Sequence, residues 1–146
     1  MPSLLRLKGF HYGAGAGYFI TFCTYRRRQV LSSVAFGEAV PTPLGRLVLQ
    51  GWGELPARYG GVYLDEFVLM PDHVHGILIF GEAATTTLLK VVCRLKGLTT
   101  IQARRTGFWG TSPLWQKSFH DRVIRNDREL QLIREYVRNN PNRWVR

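Results

Sequence analysis

The stretch EFVLMPDHVHGILIF, residues 66–80, decides the predicted fold. Two apolar runs flank Pro71 and Asp72, a pair typical of a tight type I turn, so the stretch predicts two strands joined as a hairpin. Because side chains alternate between the two faces of a strand, His73 and His75 point to the same face. Neutral imidazole is the commonest metal-binding side chain, and two of them on one face supply half of a metal site.

The histidine pair also has a plainer interpretation, in which both rings are simply solvated at the end of a strand. His-x-His pairs occur by chance, as short motifs do. The hydrophobic strand that carries His73 and His75 favours a functional site. Taken alone, this stretch supports the metal site and the solvated pair about equally.

The composition predicts one folded domain spanning residues 1–146. Hydrophobic residues make up 45% of the chain, which is typical of a globule rather than a disordered segment. Cys23 and Cys93 are far apart and lack CxxC spacing, which argues against a structural zinc site and a disulfide framework. No apolar run approaches the roughly 20 residues of a membrane span, and Arg6 and Lys8 interrupt any signal-peptide core. We therefore expect a cytoplasmic protein with no membrane partner.

Basic residues are in large excess. Twenty Lys and Arg against ten Asp and Glu give a formal net charge of +10 at pH 7. Such an excess indicates a polyanionic partner, most often nucleic acid, although a merely solvated basic surface is the alternative. Because the basic residues cluster, we favour nucleic acid. The residues predicted to contact DNA are Arg26, Arg27, Arg28, Lys90, Arg94, Lys117 and Arg122.

Hydrophobic periodicity and capping signals predict four strands and three helices. The predicted strands lie at residues 18–24, 62–70, 73–80 and within 114–124. The first predicted helix begins at Thr42, and the second runs over residues 86–105. The third extends from the capping residue Asn126 to about Asn140, where Pro141 stops it. The order β-α-β-β-α-β-α predicts an α+β, ferredoxin-like or RRM-like sandwich with an antiparallel sheet and an added C-terminal helix.

The predicted fourth strand mixes aromatic and basic side chains. Trp115 and Phe119 stand among Lys117 and Arg122. Such a mixture suits unpaired nucleic acid, since rings stack on bases while cations neutralise phosphates. A half-buried strand with a solvated basic face is the alternative.

Two residues near the end of the chain carry further chemistry. Tyr136 and Asn140 are four residues apart, which places them on one face of the predicted last helix. Tyrosine can act as a covalent nucleophile, and an amide oxygen is a suitable ligand for Mg²⁺ or Mn²⁺. Helix logic alone favours the plainer interpretation, in which Tyr136 packs and Asn140 ends the helix.

Four motifs, taken in order, resemble those of the single-tyrosine HUH transposases. HUH stands for histidine, a bulky hydrophobe and histidine, and the middle residue here is Val74. The motifs are MPDHVHG at 70–76, LWQK at 114–117, VIRN at 123–126 and YVRNNP at 136–141. Each motif is moderately specific and the four together are strongly so. Within this family the chain looks most like the branch of the REP-associated tyrosine transposases.

The resemblance implies specific roles for four residues. His73 and His75 match the family's metal-binding pair, Asn140 matches the third ligand, and Tyr136 matches the nucleophile. The implied cofactor is Mg²⁺ or Mn²⁺. The family cleaves single-stranded DNA, often beside a hairpin, through a 5′-phosphotyrosine intermediate, and a free 3′-hydroxyl later rejoins strands. Small relatives act as monomers or as homodimers, so the resemblance leaves open whether Tyr136 serves its own histidines or those of a partner.

Two other functions remain as alternatives. One is a non-catalytic or domesticated nucleic-acid-binding module of RRM-like fold, but such a module would carry stacking aromatics where His73 and His75 stand. The other is an HUH replication-initiator-like nickase. Proteins of that kind are usually larger and often joined to a helicase, whereas this chain has no ATP-binding motif.

Overall fold

The computed structural model describes residues 15–144. Its elements are β1 (Ala16–Cys23), a 3-10 helix (Tyr25–Arg27), β2 (Ser32–Ala35), β3 (Glu38–Pro41), α1 (Pro43–Gly53), α2 (Leu55–Arg58), β4 (Val62–Leu69), β5 (His73–Phe80), α3 (Leu88–Arg105), β6 (His120–Ile124), α4 (Asp127–Arg138) and a second 3-10 helix (Asn140–Arg143). Four strands form one antiparallel sheet in the order β4-β5-β1-β6. This is the strand order of a ferredoxin-like sandwich, so the predicted α+β fold class is confirmed.

The β4–β5 hairpin has a tight turn at the position that the sequence predicts. The backbone N–H of Met70 donates to the carbonyl of His73 at 2.8 Å, which closes a two-residue turn at Pro71 and Asp72. Beyond the turn, β5 is paired with β1 along its whole length, and Thr21 lies opposite His75. The histidines therefore sit on an interior strand that is bonded on both sides.

Different helices cover the two faces of the sheet. On one face, Val74 and Leu78 belong to a core that α1 and α3 complete. On the other face, Ile77 and Ile79 pack with α4. The side chains that join them in this second core are Ile124, Leu130, Ile133 and Val137. Because residues two apart share a face, the histidines lie on the α4 side of the sheet.

Side-chain caps fix where the helices begin. The Thr42 hydroxyl accepts from the Gly45 N–H at 3.0 Å, and the Asn126 side chain accepts from the Glu129 N–H at 2.8 Å, as the sequence predicts. The last helix ends at Arg138, two residues earlier than predicted. Asn140 instead begins the second 3-10 helix, since Pro141 has no N–H to donate to a further α-helical bond.

The strand predicted within residues 114–124 is confirmed, but it occupies only the last five residues of that segment. Only His120–Ile124 pairs with β1, and Trp115 makes a single bridge to Thr24. The Trp115 side chain lies in the core, where its ring meets Phe22 edge-on at 4.8 Å and its indole N–H donates to the Thr99 hydroxyl at 3.1 Å. Burial therefore removes this tryptophan from the residues available to stack on bases.

The β2–β3 hairpin is absent from the sequence prediction. Its two-residue turn holds Phe36 and Gly37, both with positive φ, of 52° and 73°. Such turns are normally signalled by Asn-Gly or Asp-Gly, and a phenylalanine hides the signal.

Within residues 15–144, no helix is both long enough and apolar enough to cross a bilayer.

Gly76 tests the packing of the sheet against α1. A methyl group added at Gly76 would lie 2.7 Å from the indole of Trp52 and 3.1 Å from the ring of Phe67, which stack on each other. We expect Gly76→Ala to lower the free energy of unfolding by about 1–3 kcal/mol, because overpacking forces these rings apart. Urea denaturation followed by circular dichroism measures the change.

Gly97→Ala is the matched control. Gly97 lies within α3 and an added methyl group would meet no atom within 4 Å. Its replacement should be neutral or stabilise the protein by up to about 1 kcal/mol, since alanine is the better helix former. Equal stability of Gly76→Ala and the wild-type protein would contradict the close packing at Trp52.

Candidate active site

The two histidine rings lie side by side at the turn end of β5. Their centroids are 4.7 Å apart. The Nδ1 atom of His73 is 2.7 Å from a carboxylate oxygen of Asp72, and the Nδ1 atom of His75 is 2.7 Å from the hydroxyl of Thr21. An ionised carboxylate only accepts, so a neutral His73 carries its proton on Nδ1 and a lone pair on Nε2. Both rings are thus held through Nδ1, and their Nε2 atoms remain for a ligand.

His75 is the more buried of the two rings. Burial, together with the charges of His73 and Arg27, lowers the pKa of His75 to about 4. The Phe19 ring stacks against it at 5.3 Å between centroids. A neutral imidazole is the form that binds metal, so His75 is in its metal-binding form at neutral pH.

Asp72 connects His73 to the first 3-10 helix. One carboxylate oxygen accepts from His73, and the other accepts from Arg27 Nε at 3.1 Å. Burial raises the pKa of Asp72, but the hydrogen bonds from His73 and Arg27 outweigh this and hold it below its usual value. Arg26 and Arg27 have positive φ values of 56° and 54°, uncommon for residues other than glycine. Sequence reasoning missed this link, because it depends on that local backbone conformation.

Tyr136 faces the histidines from α4. Its ring centroid is 5.6 Å from that of His75 and 6.1 Å from that of Phe19. The side chain is accessible, with 43% of the residue exposed. The guanidinium of Arg143 lies 5.0 Å from the centre of the phenol ring, a contact that the sequence did not predict. An accessible phenol therefore stands beside both an imidazole and a cation.

Asn140 is buried one turn beyond Tyr136. Its Nδ2 donates to the Tyr136 carbonyl at 3.4 Å, and within residues 15–144 its Oδ1 accepts no hydrogen bond. A buried acceptor without a donor is costly, and a bound cation would satisfy it.

A divalent-cation site at the two histidines would need the Asn140 amide oxygen as its third protein ligand. Among the described residues, no three His, Cys, Asp or Glu side chains group to hold a metal ion. Two imidazoles and the Asn140 amide oxygen would form a nitrogen and oxygen set without sulfur. Such a set suits Mn²⁺ or Mg²⁺ better than a structural zinc ion.

Two ion pairs anchor α4, the tyrosine helix that carries Tyr136, to β4. Arg134 bonds both carboxylate oxygens of Asp65, at 2.9 and 2.8 Å, with side chains 7% and 0% exposed. Arg138 bonds Glu66 at 2.8 Å in a more exposed pair. The pairing of β4 with β5 shifts between Leu64 and Phe67, and such an irregularity lets adjacent side chains turn to one side.

The predicted DNA contacts are spread over the molecule. Arg27 pairs with Asp72, and Arg122 pairs with Glu129 at 3.3 Å. Arg26 lies over the ring of Tyr25, and Arg28 lies over that of Trp109. The remaining three are exposed, on α3 or in the loop before β6; they are Lys90, Arg94 and Lys117. A role in DNA binding stays a prediction for all seven.

Comparison with known proteins identifies the family. A model of the IS200-like transposases matches residues 15–140. The chain belongs to the IS200-like transposase family. An uncharacterised protein of Haemophilus influenzae is 28% identical to this transposase-family chain, over 96% of the chain and 88% of the relative.

Two solved structures share the fold of this family member. A REP-associated tyrosine transposase bound to a REP hairpin superposes with a TM-score of 0.70 and 21% identity, covering 90% of this chain and 71% of the other. A proposed transposase of Deinococcus radiodurans superposes with a TM-score of 0.58 and 20% identity, covering 90% and 93%. The resemblance inferred from the four motifs is thereby confirmed at the level of family and fold.

The buried ion pair under α4 should contribute strongly to stability. We expect Asp65→Ala to lower the free energy of unfolding by about 3–5 kcal/mol, because it leaves the buried guanidinium of Arg134 without a carboxylate, with only the neutral Gln131 side chain to accept from it. Glu66→Ala is the control, and loss of its exposed pair should cost less than about 1 kcal/mol. Urea denaturation compares the two variants. Similar losses in both would show that burial does not distinguish these pairs.

Proposed function

We propose that this protein is a metal-dependent transposase that cleaves and rejoins single-stranded DNA near hairpins through a 5′-phosphotyrosine intermediate. The observation that carries the proposal is the 5.6 Å separation of the Tyr136 and His75 rings in a chain of the IS200-like family. A nucleophile and a candidate metal site this close together could both contact the same phosphate, which suits phosphodiester transfer.

The metal site would consist of the Nε2 atoms of His73 and His75 and the Oδ1 atom of Asn140. These are the atoms that remain after the hydrogen bonds of each side chain are counted. Bound there, Mg²⁺ or Mn²⁺ would polarise the scissile phosphodiester. Asp72 and Thr21 would orient the two rings through their Nδ1 atoms, the usual arrangement around metal-binding histidines.

The chemical step would use Tyr136 as the nucleophile. Its phenol oxygen attacks the phosphorus and loses its proton to solvent, and the bond from phosphorus to the 3′-oxygen breaks. The 3′-oxygen takes up a proton and leaves as a 3′-hydroxyl, while the 5′ side stays linked to the tyrosine. Arg143, beside the phenol ring, would stabilise the negative charge that develops there. Attack by a 3′-hydroxyl on this linkage restores a phosphodiester and frees Tyr136.

Single-stranded DNA with a hairpin is the proposed substrate. The net charge of +10 supports a polyanionic partner, and the related structure with a bound REP hairpin supports a folded DNA element. The basic residues predicted above would neutralise phosphates, so binding should weaken as salt increases.

Tyr136→Phe tests the reaction. We expect wild-type protein with Mn²⁺ and labelled single-stranded hairpin DNA from the ends of its own locus to form a protein-linked species on a denaturing gel. Tyr136→Phe should abolish this species and leave DNA affinity within about twofold, because a phosphate transfer needs the hydroxyl while the ring is retained. Tyr63→Phe, which alters another exposed tyrosine on β4, is the matched control.

Two outcomes would reject this proposal. A covalent species that survives Tyr136→Phe places the nucleophile elsewhere. Tight, metal-independent binding without any covalent species would favour the non-catalytic nucleic-acid-binding module.

Asp72→Ala tests the support of the proposed metal site. We expect Mn²⁺ affinity, measured by isothermal titration calorimetry, to fall about 10–100-fold, because His73 loses the acceptor that orients its ring. Asp72→Asn should have a smaller effect, since its amide oxygen still accepts from His73. The control is Asp121→Ala, an exposed residue of β6. Unchanged affinity in Asp72→Ala would show that this hydrogen bond does not support metal binding.

A further inference from the structure

A groove of about 520 Å³ lies beside Tyr136, between α4 and the outer part of the sheet. Its volume falls in the usual range of small-ligand sites, about 300–1,000 Å³. The residues that carry the argument are Phe19, Arg122, Arg128, Glu129, Leu132 and Tyr136. We propose that this groove binds a nucleobase of the unpaired DNA strand next to the scissile phosphate. The inference rests on the proposed function, because it needs Tyr136 to be the nucleophile.

The groove has apolar walls suited to a flat ring. Leu132 and Tyr136 are four residues apart on α4, on the face next to its buried Ile133 and Val137, and they are 57% and 43% exposed. Phe19 contributes an aromatic ring from β1. Bases stack on such side chains with little regard to sequence, because every base has a flat π-face.

The other end of the groove is polar and carries both donors and an acceptor. Arg122 pairs with one carboxylate oxygen of Glu129 at 3.3 Å, and the other oxygen accepts from the backbone N–H of Arg125. Arg122 remains largely exposed, so its guanidinium has further N–H groups for a base edge or a phosphate. Arg128 adds a second exposed cation. A base edge presents donors and acceptors of the same kinds.

The sheet register places this polar end close to the proposed reaction centre. Phe19 is paired with Arg122 on β6 and with Ile77 on β5. This pairing lies two residues along β1 from the pairing of Thr21 with His75. Phe19 and Tyr136 form the wall of the groove next to His75, with ring centroids 5.3 and 5.6 Å from that of the imidazole. A phosphate attacked by the phenol oxygen would therefore have a neighbouring base within reach of Leu132 and Arg122. This location makes a base of the substrate strand a better-placed occupant than a separate small molecule.

The test removes one base at a time. Fluorescein-labelled single-stranded hairpin DNA from the protein's own locus is prepared with a single abasic residue at each unpaired position in turn. Anisotropy with wild-type protein and Mn²⁺ gives each affinity. We expect one position to lower affinity about tenfold, as loss of a stacked base does. In Leu132→Ala, intact DNA should bind more weakly, and the penalty at that position should become smaller than in wild type, since both changes remove contacts of the same base.

Leu89→Ala is the matched control. Leu89 is also an exposed helical leucine, 61% exposed, but it lies on α3, which covers the opposite face of the sheet. Its replacement should leave both the affinity and the abasic penalty as in the wild-type protein. Circular dichroism and sedimentation of each variant check that fold and oligomeric state are unchanged.

The outcomes separate the groove from the reaction. An abasic penalty that is the same in wild type and Leu132→Ala, or no penalty at any position, overturns the groove proposal even if the covalent species forms. A change of oligomeric state in Leu132→Ala, with the abasic penalty retained, also overturns it, because a second copy would then be the occupant. Loss of the penalty in Leu132→Ala without any covalent species supports base binding in the groove, but it rejects the reaction and with it the placement of that base beside a scissile phosphate.

Discussion

The position of the tyrosine helix depends on charges that are buried against the edge of the sheet. Arg134 makes two bonds to Asp65 with both side chains almost fully removed from solvent, and Ile133 and Val137 pack on the same face of the sheet. The apolar contacts supply attraction without direction, whereas the bidentate pair fixes the position of the helix along β4. Tyr136, two residues after Arg134, is thereby held beside His75 within the same chain.

Hydrogen bonds to the imidazole Nδ1 atoms fix the orientations of the His73 and His75 rings. Thr21 comes from the strand next to β5, and Asp72 comes from the turn before it, so the two rings are held from different directions. Arg27 holds the far oxygen of Asp72, at a cost in backbone conformation. Strained residues persist where the surrounding structure requires them, and the first 3-10 helix, which carries Arg27, is such a place.

The charge of the chain and the position of the candidate site are related but separate features. The basic side chains occur on both sides of the sheet, which suits general attraction to a polyanion rather than one contact patch. The chemistry of the α4 face is more local: two imidazoles, a phenol, a buried amide and an apolar groove share one side of the sheet. The residues that would attract a polyanion and those that would recognise it locally therefore overlap only in part, at groove residues such as Arg122.

The sequence predicted those parts of the structure that depend on local interactions along the chain. The β4–β5 turn, the shared face of His73 and His75, and the caps at Thr42 and Asn126 depend on residues close together in the chain, so their patterns predicted them correctly. The links from Arg27 to Asp72 and from Asp65 to Arg134 join residues 45 and 69 positions apart, and the burial of Trp115 depends on α3. No local pattern encodes such partners. Only the tertiary structure determined them, through the positive-φ backbone at Arg27 and the packing of α3 and α4 on the sheet, which also forms the groove beside Tyr136.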